Sequence, residues 1–195
     1  MILGANGKIA RLVETQLLND KAFSDVKLTM LLREKGRADD LLTNQSIAIE
    51  GDVKDDSAVE AAVEDQDIVF DLTGTTKSIV PTQNIIKAMQ ANGVIRVISI
   101  CDLGTHSKTA NQIETKIAQL YEQSGLDYTV LRLAWLNNLD EVRYQVTQPN
   151  KPVQGNSISR KSVAELILKI IDDPAYLSKQ NVGVSDGIKR DAPIV

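Results

Sequence analysis

Met1-Ile-Leu-Gly-Ala-Asn-Gly-Lys-Ile-Ala-Arg-Leu-Val-Glu-Thr-Gln-Leu-Leu18 is the stretch that decides how this chain folds. A short apolar run stops at Gly4, and Gly4, Gly7 and Ala10 follow at a spacing of three. Apolar residues then recur at Ile9, Val13 and Leu17, the spacing of one helix face. The pattern predicts a strand, a glycine turn and a helix. Glycines let backbone approach a bulky anion, and a helix start offers free N–H groups at a positive dipole end. A dinucleotide pyrophosphate is the usual occupant of such a turn. Taken alone, the spacing fits a tight strand-to-helix turn equally well. Only Met1 to Leu3 precede the glycine, where a strand usually has about 5–6 residues. Either this strand is short or the natural start lies upstream.

The remaining residues repeat the alternation. Strands are expected at Val26–Arg33, Ser46–Glu50, Asp67–Leu72, Val94–Cys101 and Tyr128–Leu133, with short ones near Val142–Val146 and Asn181–Val184. Helices are expected between them. One follows Asp55-Asp56-Ser57 with Ala58, Ala61 and Ala62 inward, and one spans Ser78–Ala91 with Ile79, Ile86 and Met89 inward. A third covers Ala110–Gln123 with Ile113, Ile117, Leu120 and Tyr121 on its stripe, and a fourth Lys161–Asp172 with Val163, Leu166, Ile167 and Ile170. Strands alternating with helices imply parallel pairing by right-handed crossovers. The fold class expected is α/β: a Rossmann-like doubly wound parallel sheet in three layers. It forms a single domain over 1–195, with a small substrate or lid region at about 134–160. The tail Asp186–Val195 is expected to fray.

At 195 residues the chain has room for one core but not for a full second domain. A net charge of −4, with no basic stripe carrying interleaved aromatics, argues against a nucleic-acid partner. No apolar run reaches membrane-spanning length, so no membrane partner is expected. One cysteine, Cys101, excludes an internal disulfide and suits a reducing, cytoplasmic setting, and with a single histidine, His106, a zinc site is not expected. Oligomeric state is not legible.

In such a sheet, ligands sit beyond the carboxyl ends of the strands. After the first strand come Gly4, Asn6, Gly7, Lys8 and Ile9, whose amides would hold a pyrophosphate. After the second comes Arg33, 26 positions beyond Gly7, where an acidic residue would bond a ribose 2′-OH and an arginine a 2′-phosphate. Arg33 favours NADP over NAD, although neighbouring Glu34 would suit the 2′-OH. After the third strand, Asp52 would accept from the adenine amino group with Val53 over the ring, or Asp52 is a turn residue. Thr73, Gly74 and Thr75 after the fourth leave space for the riboses. Ser99 and Cys101 close the fifth.

Several of these segments together resemble the atypical short-chain dehydrogenases/reductases, NmrA-like NAD(P)-binding proteins that include relatives of biliverdin/flavin reductase. They are Gly4-Ala-Asn-Gly-Lys-Ile-Ala10, Leu32-Arg33, Gly51-Asp52-Val53, Val97-Ile98-Ser99, Lys116, Ser-Gly-Leu-Asp-Tyr-Thr-Val-Leu-Arg at 124–132, and Ser159-Arg160-Lys161-Ser162-Val163-Ala164. The resemblance implies a Rossmann sheet with the contacts just described. It also implies catalytic roles for Ser99 and for Lys116, which would hold the nicotinamide ribose. The family tyrosine, four residues before the lysine, is here Gln112, which is no general acid near neutral pH. Tyr121 lies five residues past Lys116, on the apolar stripe, and is a poor substitute. The expectation is therefore NADPH-dependent hydride transfer to a small planar acceptor such as a flavin or quinone, its proton drawn from water. The alternative is a non-catalytic NAD(P) redox sensor acting through a protein partner.

Overall fold

The computed structural model describes residues 1–73, 78–102, 108–149 and 151–191. The opening stretch forms β1 (Ile2–Leu3), a turn with Gly4 and Asn6 at φ 77° and 67°, and α1 (Lys8–Asn19). β2 (Leu28–Leu32) and β3 (Ser46–Glu50) follow, separated by a 3-10 stretch over Lys35–Leu41. Then come α2 (Asp56–Val63), β4 (Ile68–Asp71), α3 (Val80–Ala91), β5 (Arg96–Asp102), α4 (Lys108–Gln123) and β6 (Asp127–Leu133). The last quarter adds β7 (Trp135–Asn137), β8 (Gln145–Thr147), β9 (Ser157–Ser159), α5 (Arg160–Asp172) and β10 (Gln180–Ser185).

Eight strands order as β3-β2-β1-β4-β5-β6-β10-β8. The order reverses at β1, whose Leu3 pairs with Leu31 on one side and Asp71 on the other. All pairs in this sheet are parallel except β10 with β8. One apolar cluster joins α1 and α5 to one face, and a second joins α2, α3 and α4 to the other. This is the expected three-layer, doubly wound domain. β2 is buried along its whole length, as a strand covered by helices on both faces must be.

Four local expectations need correction. Val59, Ala62 and Val63 are the buried residues of α2, rather than Ala58 and Ala61, because burying the two valines removes more apolar surface from water than burying two alanines. In α3 the buried stripe is Ile85, Ala88 and Met89, with Ile86 at its border. In the region 134–160 the strand expected near Val142–Val146 is β8 at Gln145–Thr147, which closes the main sheet antiparallel, and β7 and β9 add a small parallel sheet that was not expected. The tail is held at least to Arg190, whose guanidinium pairs with buried Asp186 while its backbone O accepts from Asn156 Nδ2 at 2.7 Å.

A cavity of about 550 Å³ lies at the amino ends of the strands, lined among others by Met1, Thr29, Asp67 and Phe70. The Met1 ammonium donates to Ile68 O at 2.8 Å, and burial lowers its pKa to about 5. Among the described residues no helix is long and apolar enough to cross a membrane.

Candidate functional site

At the opposite, carboxyl end of the sheet, beside the reversal point, lies a second cavity of about 460 Å³. Its described lining joins four separate strand ends: Gly4 to Gly7 after β1, Arg33, Glu34 and Arg37 after β2, Gly51 to Lys54 after β3, and Leu72 and Thr73 after β4. Residues far apart in sequence meet here because each crossover returns the chain to the same edge.

The glycine turn is shaped from two sides. Gly4 has φ 77°, and a Cβ on it would lie 2.8 Å from Leu72 O, so glycine is required by both angle and packing. Gly7 differs: at φ −69° a Cβ would meet Gly4 O at 3.4 Å and Ala10 Cβ at 3.9 Å. Neither strain nor crowding demands glycine at 7. Gly7 is among the residues lining the cavity. Gly7 is also the N-cap of α1, and no side chain caps that helix. The first amides of α1, those of Lys8 and Ile9 included, thus have no intrahelical acceptor and face the loop end with a positive dipole. The Ile9 side chain points into the core.

Charge favours an anion at one end of the cavity. Arg33, Arg37 and Lys54 contribute three cations against the carboxylates of Glu34 and Asp52, although the chain as a whole is acidic. Arg37 and Lys54 were not among the sequence candidates. Arg37 stands on the 3-10 stretch, which an Arg11–Asp40 ion pair at 2.6 Å fastens to α1. Asp52 accepts from the Lys54 N–H at 2.9 Å through one oxygen, which makes it a turn residue as well as a lining residue. Val53 is half-buried on the same wall. These features fit a dinucleotide: an uncapped helix start for the pyrophosphate, cations beside the β2 end, and a small apolar wall.

Next to Thr73 sits a buried polar cluster. Asp71 Oδ1 accepts from the Thr73 N–H at 3.1 Å and its hydroxyl at 2.7 Å, and Oδ2 accepts from Ser99 Oγ at 3.2 Å and Tyr121 OH at 2.8 Å. Burial, then the Asp71 charge, holds the Tyr121 phenol well above its usual pKa. Burial, then Glu114 and Asp71, does the same for the Cys101 thiol. Cys101 is an unpaired, buried residue.

Ser99 lies inside this cluster, 1% exposed, and Lys116 is exposed on α4; neither belongs to the described lining of the cavity. Gly74, Thr75 and His106 lie outside the described residues. Asp71 and Glu14 are polar groups with no place in the sequence expectations, and Tyr121 appears there only as a member of the apolar stripe. Each had a signal: a charged or hydroxyl group at a position the apolar pattern reserves for the core.

The chain matches the NAD(P)H-binding family over residues 4–174. It is similar to a solved Rossmann-fold NAD(P)-binding family protein from Shigella flexneri, at 35% identity and TM-score 0.87, covering 100% of this chain and 96% of that one. A short-chain dehydrogenase/reductase from Veillonella parvula, solved in complex with NADP, shares the fold at 24% identity and TM-score 0.84, covering 98% and 97%. So does an anaerobilin reductase from Escherichia coli O157:H7, at 22% identity and TM-score 0.81, covering 98% of each chain. With the glycine turn, the uncapped α1 and the sheet reversal all at one cavity, and a family match over most of its length, this chain belongs to the NAD(P)H-binding family of Rossmann-fold proteins.

Proposed function

We propose that the protein is an NADPH-dependent oxidoreductase that passes hydride to a small planar acceptor such as a flavin or quinone. The observation that carries this reading is the single cavity uniting the Gly4–Gly7 turn with Arg33, Arg37, Asp52, Val53 and Thr73. When bound, the reduced nicotinamide would supply the hydride. The protein's part is to orient. Arg33, with Arg37 beside it, would grip a 2′-phosphate, a match of guanidinium to phosphate geometry. Asp52 would accept from the adenine amino group while Val53 covers the ring. Amides from Gly7 to Ile9 would hold the pyrophosphate, the expected Asn6 amide being already donated to Glu14 Oε1, and Thr73, Gly74 and Thr75 would leave space for the riboses.

Lys116 would fix the nicotinamide ribose, and Ser99 would polarise the acceptor. For that, Ser99 must turn its hydrogen away from Asp71, which still keeps three donors, two from Thr73 and one from Tyr121. Gln112, exposed on α4, gives no acid, so the proton would come from water. The region 134–160, with half-buried Trp135, would wall the acceptor side. A cytoplasmic setting suits the single buried thiol.

One observation favours a second reading, a non-catalytic NAD(P) redox sensor. The hydroxyl hydrogens of Ser99 and Tyr121 are both committed to Asp71. Following NADPH absorbance against a panel of flavins and quinones separates the two. Acceptor-dependent turnover supports the enzyme, and tight binding without turnover supports the sensor.

A further inference from the structure

Glu14 breaks the pattern of α1. The stripe Ala10, Val13 and Leu17 reserves position 14 for an apolar side chain, yet a carboxyl stands there with no exposed surface. Its Oε1 accepts the backbone N–H of Asn6 at 3.2 Å, and its Oε2 is buried without a partner. Asn6 is the left-handed residue inside the turn that lines the cofactor cavity. Glu14 therefore holds the phosphate-binding turn from beneath by one amide, while one of its own oxygens is unsatisfied.

Leaving a charged oxygen buried and unpaired is costly, whereas a neutral carboxyl keeps its carbonyl for Asn6 at much lower cost. The surroundings offset the charge only in part. Arg11, one turn earlier on α1, commits Nη2 to Asp40 at 2.6 Å. Burial raises the Glu14 pKa most, the Asn6 hydrogen bond and Arg11 lower it, and Asp40 raises it, leaving it at about 7. Helix α5 packs on α1 with Val163, Ala164, Leu166, Ile167 and Ile170 buried. Its charges are turned elsewhere: Arg160 to Asn138, Lys161 to Asp140, Lys169 to the Tyr176 ring, and Glu165 to solvent. Lys21, after α1, and Lys35, Arg37 and Asp39, on the 3-10 stretch, are exposed.

We propose that Glu14 is a proton-coupled positioning residue of the phosphate-binding turn: a dinucleotide entering the cavity sets its pyrophosphate charge beside this carboxyl, and binding takes up a proton from solvent onto Oε2. The balance is simple. Buffer or hydronium loses a proton, a Glu14 O–H bond forms, and a like-charge repulsion through poorly screened protein is removed. The carboxyl keeps its bond from Asn6 throughout, so the turn holds its shape. The proposal rests on the cofactor reading above. Its consequence is that affinity falls as pH rises above neutrality.

Titration calorimetry at pH 7.5 in phosphate, HEPES and Tris, which differ in ionisation enthalpy, counts the protons. NADP+ and NAD+ are both used, because a 2′-phosphate titrates near about 6 and NAD+ lacks one. The expected result is uptake of a substantial fraction of one proton with either dinucleotide. Affinity should weaken by up to about tenfold per pH unit above 7. Both effects should vanish in Glu14→Gln, which keeps the acceptor for Asn6, and in Glu14→Leu, which suits the apolar stripe. Binding without proton uptake, or uptake that persists in either variant, overturns the proposal and leaves the cofactor reading intact. No binding of either dinucleotide overturns both.

Discussion

The Tyr121 hydroxyl donates to Asp71 Oδ2 at 2.8 Å, joining the last turn of α4 to the carboxyl end of β4. Proteins of the resembled family place a proton-donating tyrosine one turn before the lysine of this helix, and here that position is Gln112. Tyr121 does not take over the role. Its side chain is fully buried, and burial together with the Asp71 charge raises its pKa well above the usual value. It is a structural donor to a carboxylate that Thr73 and Ser99 also satisfy.

Tyr121→Phe should accordingly lower stability by about 1.5–3 kcal/mol, the range for a hydrogen bond to a charged group. Denaturant unfolding measures this. The pH profile of any NADPH oxidation should keep its shape near neutrality. A lost alkaline limb in the variant would show that the phenol titrates in turnover after all.

The two glycines of the opening turn should respond differently. Gly4→Ala forces a Cβ to 2.8 Å from Leu72 O at a positive φ. It should cost about 2 kcal/mol or more of stability. Gly7→Ala has neither conflict and should fold within about 1 kcal/mol of the parent, yet bind dinucleotide about tenfold more weakly because its methyl enters the cavity. Thermal unfolding and calorimetry on both variants check the contrast.

Arg33→Ala should weaken NADPH by about 10- to 100-fold, the equivalent of one lost charged hydrogen bond, and leave NADH within about threefold. Equal losses for the two would remove the 2′-phosphate assignment. Arg37→Ala should move in the same direction by less.

Glu14 also ties stability to pH. Its pKa is about 7 folded against 4.5 in the free side chain, so the folded state binds this proton more tightly. The stabilisation is complete below about 4.5 and is lost as pH rises through 7, by an amount on the order of 3 kcal/mol. The Met1 ammonium, lowered from 8.0 to about 5, acts oppositely and adds stability as pH rises through that window. The difference between parent and Glu14→Gln therefore isolates the carboxyl: the variant should gain on the parent from pH 5 to about 7 in denaturant unfolding and level off above it.

The sequence made the frame legible where one force dominated. β5 and β2 read as strands because both faces are buried, and α5 showed its full inward stripe. The strand ends then named most of the cavity lining in advance, Arg33, Asp52, Val53 and Thr73 among them. Three-residue strands such as β7 and β9 left no periodic trace, since their pairing depends on residues some twenty positions away. The roles of Asp71, Tyr121 and Glu14 were not legible for a related reason. Their meaning lies in side-chain contacts across 50 residues in one case and across a single tight turn in another, and a hydrophobicity pattern registers such residues only as exceptions.

The most direct trial of the account is calorimetric titration of the unmodified protein with NADPH, then NADH. The account predicts saturable one-to-one binding of NADPH, tighter than NADH. No heat and no thermal shift at millimolar concentrations of either would contradict it.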